Sequence, residues 1–198
     1  MPTAERLVLG AKVTCASTGA GRSSTTSYTL HAIVVDPASL RVTHLVAEPE
    51  HRIGLGRLVP VALVAEVGEG VQLTCREDDL EQLPQAERKE ILPGVPTGFV
   101  PFRGPMLGGP ALPTVEVRAT APAGEAETYP GETVYASDGP IGTVAGFEVG
   151  PTDFAIVQVL VSEERLFFGH KLIAVPVSAV LSFQPGVRLK LATAEIPR

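Results

Sequence analysis

The chain is 198 residues long, 44% hydrophobic and formally charged −6, with 16 Lys and Arg against 22 Asp and Glu. Its length and apolar content suit one or two domains with a real core, and its acidic balance is the wrong sign for a protein that mainly grips nucleic-acid backbone. The longest apolar runs fall far short of the roughly 20 residues of a bilayer span, and two cysteines do not make a disulfide framework.

The opening MPTAERLVLG carries no secretory apolar segment. A cytoplasmic location is therefore expected, compatible with peripheral association with a membrane complex. Five strands are then predicted from period-2 alternation and short apolar runs: AKVTCAS (11–17), LHAIVVD (30–36), RVTHLVAE (41–48), RLVPV (57–61) and VQLTC (71–75). The break DPASL after Val35 supplies turn chemistry. The loop GAGRSSTTS (19–27) offers backbone donors and hydroxyls but lacks both the Lys of a phosphate loop and a following helix, so it reads as a hairpin insertion.

Residues 84–130 hold 9 of the 18 prolines. PQAERKEIL there is compatible with one short helix, with Pro84 in its first turn and Pro93-Gly94 ending it. The run VPTGFVPFRGPMLGGPALP after it is too rich in Pro and Gly for a regular ladder. A second series of strands follows: ETVYAS (132–137), TVAGFEV (143–149), FAIVQVLVS (154–162), LIAVPV (172–177) and VRLKL (187–191). Asp138-Gly139 is the strongest two-residue hairpin signal. Gly139 and Gly142 turn the chain between strands, because TVAGFEV is no helix to face an anion.

The second series repeats the first. Gly10 and Gly131, like Val13 and Val134, lie 121 residues apart, whereas Pro60 and Pro176, and Gly70 and Gly186, lie 116 apart. The difference matches the run SSTTS that only the first copy carries. The predicted organisation is a first domain (1–83), a Pro/Gly-rich connector (84–128) and a second domain (129–198).

Gly10, Asp36-Pro37, Val42-Thr43-His44-Leu45-Val46, Val59-Pro60 and Gly70-Val71 form a pattern that resembles the PRC-barrel domain family. In the second copy Gly131, Ser137-Asp138-Gly139, Gly142, Gly150-Pro151, Val175-Pro176 and Gly186-Val187 continue it. That family includes the barrels of the photosynthetic reaction-centre H subunit and of the ribosome maturation factor RimM. The resemblance implies an all-β fold of two small PRC-type β-barrels in tandem, with at most one short helix, acting without catalysis as a protein-interaction or scaffold module. The alternative it implies is a ribosome-assembly or RNA-associated factor like RimM, docking through a basic ribosomal protein. Two departures are Ser17-Thr18-Gly19 in place of an Asp-Gly turn, and AIVQVLV in place of VTHLV.

No residue is assigned a catalytic, cofactor-binding or metal-ligating role. His44 and His51 flank Glu48 and Glu50, but strand alternation and the break at Pro49 make convergence accidental, and a structural role is expected. His170, beside Lys171 in FFGHKL, has no neighbouring carboxylate to orient it as a base and reads as a surface contact. Cys15 and Cys75 end the first and last strands of copy one, which a closed barrel would bring together; two free thiols are the default. The partner-binding candidates are the apolar groups Phe99, Phe102, Met106, Leu107, Leu166, Phe167 and Phe168, together with His170. They would either close the barrels on each other or dock a protein partner or second copy, with no direct nucleic-acid contact expected.

Overall fold

The structure is a computed structural model that describes residues 4–16, 27–51, 54–92, 114–119, 121–165 and 169–196. In chain order the strands are β1 (Glu5–Val8), β2 (Lys12–Thr14), β3 (Tyr28–Asp36), β4 (Arg41–Pro49), β5 (Arg57–Pro60), β6 (Val64–Val67), β7 (Val71–Leu73), β8 (Glu87–Leu92) and β9 (Thr114–Ala119). They continue as β10 (Ala126–Thr128), β11 (Thr133–Ala136), β12 (Gly139–Val149), β13 (Ile156–Arg165), β14 (Gly169–Pro176), β15 (Val180–Ser182) and β16 (Val187–Leu189). One α-helix, α1 (Glu77–Gln82), and 3-10 turns at Val61–Leu63, Val177–Ala179 and Thr193–Glu195 complete the described elements.

The protein is thus mostly β. One seven-stranded sheet runs β5-β4-β3-β2-β7-β6 and the other β14-β13-β12-β11-β16-β15, each with one further strand beside its long hairpin. Neither path closes by hydrogen bonds, which corrects the expectation of two closed barrels. The end strands β5 and β6 are instead joined by the three-residue 3-10 turn 61–63, and β14 and β15 by its counterpart 177–179. Chain connectivity rather than ladder pairing brings those ends together.

The extra strands are exchanged between repeats. β1, from the start of copy one, pairs antiparallel with β12, placing Glu5 opposite Val149 and Val8 opposite Gly146. β10, which stands 121 residues after β1, pairs with β3 of copy one, placing Ala126 opposite Val35 and Thr128 opposite Ile33. The equivalence is close: β3–β4 and β12–β13 carry register shifts at matching places, between Leu30 and Ala32 and between Val144 and Gly146. Residues of these hairpins lie 114 apart. Copy one therefore has seven extra residues between β2 and β3, and copy two has two more between β13 and β14 than copy one has between β4 and β5.

At the centre the repeats meet residue for equivalent residue. Arg41 bridges to Ala155, the Val42 N–H donates to the Phe154 carbonyl (3.0 Å) and the Ile156 N–H to the Leu40 carbonyl (2.8 Å). Leu40 and Phe154, 114 apart, share a left-handed backbone with φ of 55° and 51°. Such reciprocal contacts are those of an isologous, twofold interface. Both repeats contribute to one apolar cluster that includes Leu7, Ile33, Val59, Leu73, Phe147, Val161 and Val187, all at most 1% exposed.

The helix predicted over PQAERKEIL is corrected too. Glu87–Leu92 is strand β8, laddered to β9 from Glu87↔Ala119 to Leu92↔Thr114, and the helix lies just before it. There Asp79 accepts from the Arg76 N–H (3.3 Å) and three acidic residues fill the first turn, a charge placement that suits a helix N-terminus. A β-branched partner, TVEVRA, overrides the helical preference of Glu, Arg and Lys in β8.

The glycine-rich stretch is strand. Gly142 pairs with Val134, and a Cβ there would stand 2.3 Å from the Ser162 carbonyl oxygen. The glycine admits a neighbouring backbone rather than a ligand. Asp138 of the preceding turn accepts from the N–H and the hydroxyl of Thr193 (2.9 and 2.7 Å); those bonds hold its carboxyl below the ordinary value.

Candidate functional site

A group of interacting ionisable side chains lies on the outer face of β3 and β4, next to the exchanged β10 that pairs with β3. Strand alternation sends Ala126 and Thr128 into the core and Glu125, Glu127 and Tyr129 outward. At one end Thr43 donates to Glu125 (2.5 Å), and His44 Nδ1 lies 3.0 Å from the Thr43 hydroxyl and 3.6 Å from the Glu125 carboxylate. At the other end His31 Nδ1 lies 2.9 Å from Glu48 Oε2, and Glu48 also accepts from the Gly54 N–H. Tyr129 donates to Glu127 and sets its ring edge-on to His31, centroids 5.7 Å apart. Glu127 accepts from the Ala121 N–H as well (3.2 Å).

Between the two polar ends Ala32, Val34, Val46, Leu58 and Ala86 form a small apolar cluster with Ala121 and Tyr129 packed on it. The arrangement is a polar belt around a dry patch. It clamps residues 121–129 onto the sheet, and the buried carboxylates of Glu48 and Glu127 have the partners that burial demands. Glu48 and His44 do share a face, but their partners are His31 and Glu125 rather than each other; His51 is exposed.

Copy two builds the same sheet without the belt. Ala145, Gln158 and Ser162 stand where His31, His44 and Glu48 stand in copy one, and the matching cross-strand contact is the Arg6–Glu148 ion pair (2.7 Å). Copy two also exposes Leu172 on β14, at 49%, opposite Ser162.

Among the partner-binding candidates, Phe99, Phe102, Met106 and Leu107 lie outside the described residues, in the chain between β8 and β9. Leu166, Phe167 and Phe168 also lie outside them, between the ladder partners Arg165 and Gly169. His170 pairs through its backbone with Glu164 in β14. Cys15 and Cys75 are brought together: the Ala16 N–H donates to the Cys75 carbonyl (3.0 Å), and both thiols are free and half-buried.

Glu125, Glu127 and Tyr129 went unassigned in the sequence. Their signal is the alternation EAETY, hidden between Pro122 and Pro130. Among the described residues no group of three or more His, Cys, Asp or Glu is placed to hold a metal ion, and no helix is long and apolar enough to cross a membrane. No family model matches the chain, and no curated protein matches it significantly.

Proposed function

We propose that the chain is a noncatalytic protein-interaction or scaffold module of the PRC-barrel kind, acting in the cytoplasm, with each seven-stranded sheet a variant of the barrel. The 3-10 turns that join the sheet ends support that assignment. The β13–β14 hairpin is the docking element, and the observation that carries this is Leu172. It stands half exposed on a strand whose neighbours Ile173 and Val175 are buried, four residues from Phe168 and on the hairpin that is longer in copy two. An exposed apolar side chain on this hairpin, four positions along the chain from the apolar run Leu166-Phe167-Phe168, fits a protein partner or a second copy of the chain.

Changing Phe167→Glu and Phe168→Glu together tests the reading. Association, followed by sedimentation velocity and by pull-down from the native host, is expected to fall by tenfold or more, with the melting temperature unchanged. Undiminished association would refute it. Co-sedimentation with ribosomal subunits that survives these substitutions and disappears in high salt would favour the assembly-factor reading instead.

A further inference from the structure

The chain's two cysteines, 60 positions apart, meet where β2 and β7 end. β2 and β7 are parallel neighbours, with Val13 opposite Val71 and Thr14 opposite Gln72; past the strand ends the register shifts by two residues, and the Ala16 N–H donates to the Cys75 carbonyl (3.0 Å). Copy two repeats this geometry, its Ser137 N–H donating to the Leu191 carbonyl (2.9 Å). There the positions of Cys15 and Cys75 are held by Ala136 and Leu191. The fold therefore asks only for apolar groups at this place. Copy one places two free thiols there, half-buried rather than sealed in the core.

We propose that Cys15 and Cys75 are a thiol–disulfide site, closed to an intramolecular disulfide by exchange with a small-molecule disulfide. One cysteine thiolate attacks the small disulfide and expels half of it as a thiolate. The second cysteine then attacks the protein sulfur of that mixed disulfide, forming the Cys15–Cys75 bond and releasing the other half. The cysteine pair loses two electrons and two protons, and the small disulfide becomes two thiols. A disulfide spans Cα atoms about 4.4–6.8 Å apart, and the Ala16–Cys75 backbone bond (3.0 Å) holds the two segments side by side at the cysteines.

Burial first, then the nearby Cys75 and Glu77, push the Cys15 thiol up to about 11. Burial, with Asp79 as a further acidic neighbour, raises Cys75. Little thiolate is present at neutral pH, so the exchange is slow and the site answers to sustained redox conditions rather than to a pulse of oxidant.

The test equilibrates the full chain in mixtures of reduced and oxidised glutathione and maps its peptides without reduction. A linked peptide pair containing Cys15 and Cys75 is expected, at a loss of two hydrogens and with no change in oligomeric state. From the 60-residue loop it closes, the bond should raise the melting temperature by on the order of 5 °C or more. The double variant Cys15→Ala, Cys75→Leu, which takes the residues of copy two, should melt as the reduced wild type does and lose the redox-dependent shift. Separate glutathione adducts, a linked dimer, or free thiols in oxidised glutathione alone would each overturn the proposal, and the wild-type peptide map decides it even if the variant fails to fold.

Discussion

Thr128 is fully buried in β10, and its hydroxyl is the one described buried side-chain oxygen without a hydrogen-bond partner. Its equivalent in the other exchanged strand is Leu7, also at 0% exposure. The same pocket is thus filled in one repeat by an aliphatic group and in the other by a near-isostere of valine that carries an unsatisfied oxygen. Leaving a buried hydroxyl unpaired costs roughly 1–3 kcal/mol, so Thr128→Val should stabilise the protein by about 1 kcal/mol or more. For a chain of this length each kcal/mol moves the melting temperature by about 2–4 °C. Thr128→Ser keeps the hydroxyl and removes a buried methyl, and should destabilise by about 1 kcal/mol. Urea unfolding at constant m-value separates these from changes in the denatured state. A Thr128→Val protein no more stable than wild type would mean that the oxygen is satisfied, and the argument from its isolation would fail.

Two further substitutions probe neighbouring features. A Cβ at Gly146 would stand 2.0 Å from the Leu7 carbonyl oxygen and 3.0 Å from Val8 Cα, so Gly146→Ala should push β1 off β12 at a cost of about 2–3 kcal/mol; amide exchange should accelerate around Leu7 to Leu9 and not in β10, and uniform acceleration would contradict it. Glu132 accepts from the Gly186 N–H (3.1 Å) and the Tyr129 N–H (3.4 Å), yet burial, the larger influence, raises its carboxyl above the ordinary value. A raised folded value means that its contribution is fully present below the unfolded value and is lost as pH rises through the folded one. Glu132→Gln should therefore flatten the decline in stability just above the ordinary carboxylate range, and a pH profile identical to wild type would count against this.

The long hairpins were legible because β3, β4, β12 and β13 are apolar runs bounded by turn residues. Asp36 shows the turn chemistry at work: the Ser39 hydroxyl and the Ala38 N–H bond to it (2.5 and 2.9 Å), and these bonds lower its carboxyl. The exchanged strands were not legible. ERLV and AET are four and three residues long, too short for periodicity to distinguish them from loop, and their partners lie in the other repeat. β8 failed differently, since Glu, Arg and Lys favour a helix locally and only β9 makes ERKEIL a strand. The belt shared both problems: Glu125 and Glu127 sit in a proline-rich stretch, and the partners of Glu125, Thr43 and His44, precede it by some 80 residues in sequence.

The repeat itself separates what the fold requires from what one copy adds. Both copies keep the exchanged strand, the register shifts and the reciprocal bonds at Leu40 and Phe154, because without the partner's strand each long hairpin would present an open edge of unpaired backbone. Equivalent positions that differ in chemistry are under no such demand from the fold. His31, His44 and Glu48 become Ala145, Gln158 and Ser162, and the sheet still forms. The belt is therefore a fastening peculiar to copy one, where β10 pairs with β3 and the flanking Ala121 and Tyr129 pack on the outer face. Cys15 and Cys75, opposite Ala136 and Leu191 in the repeat, have no such strand to fasten, and that difference marks the thiol pair as chemistry added to a fold already complete.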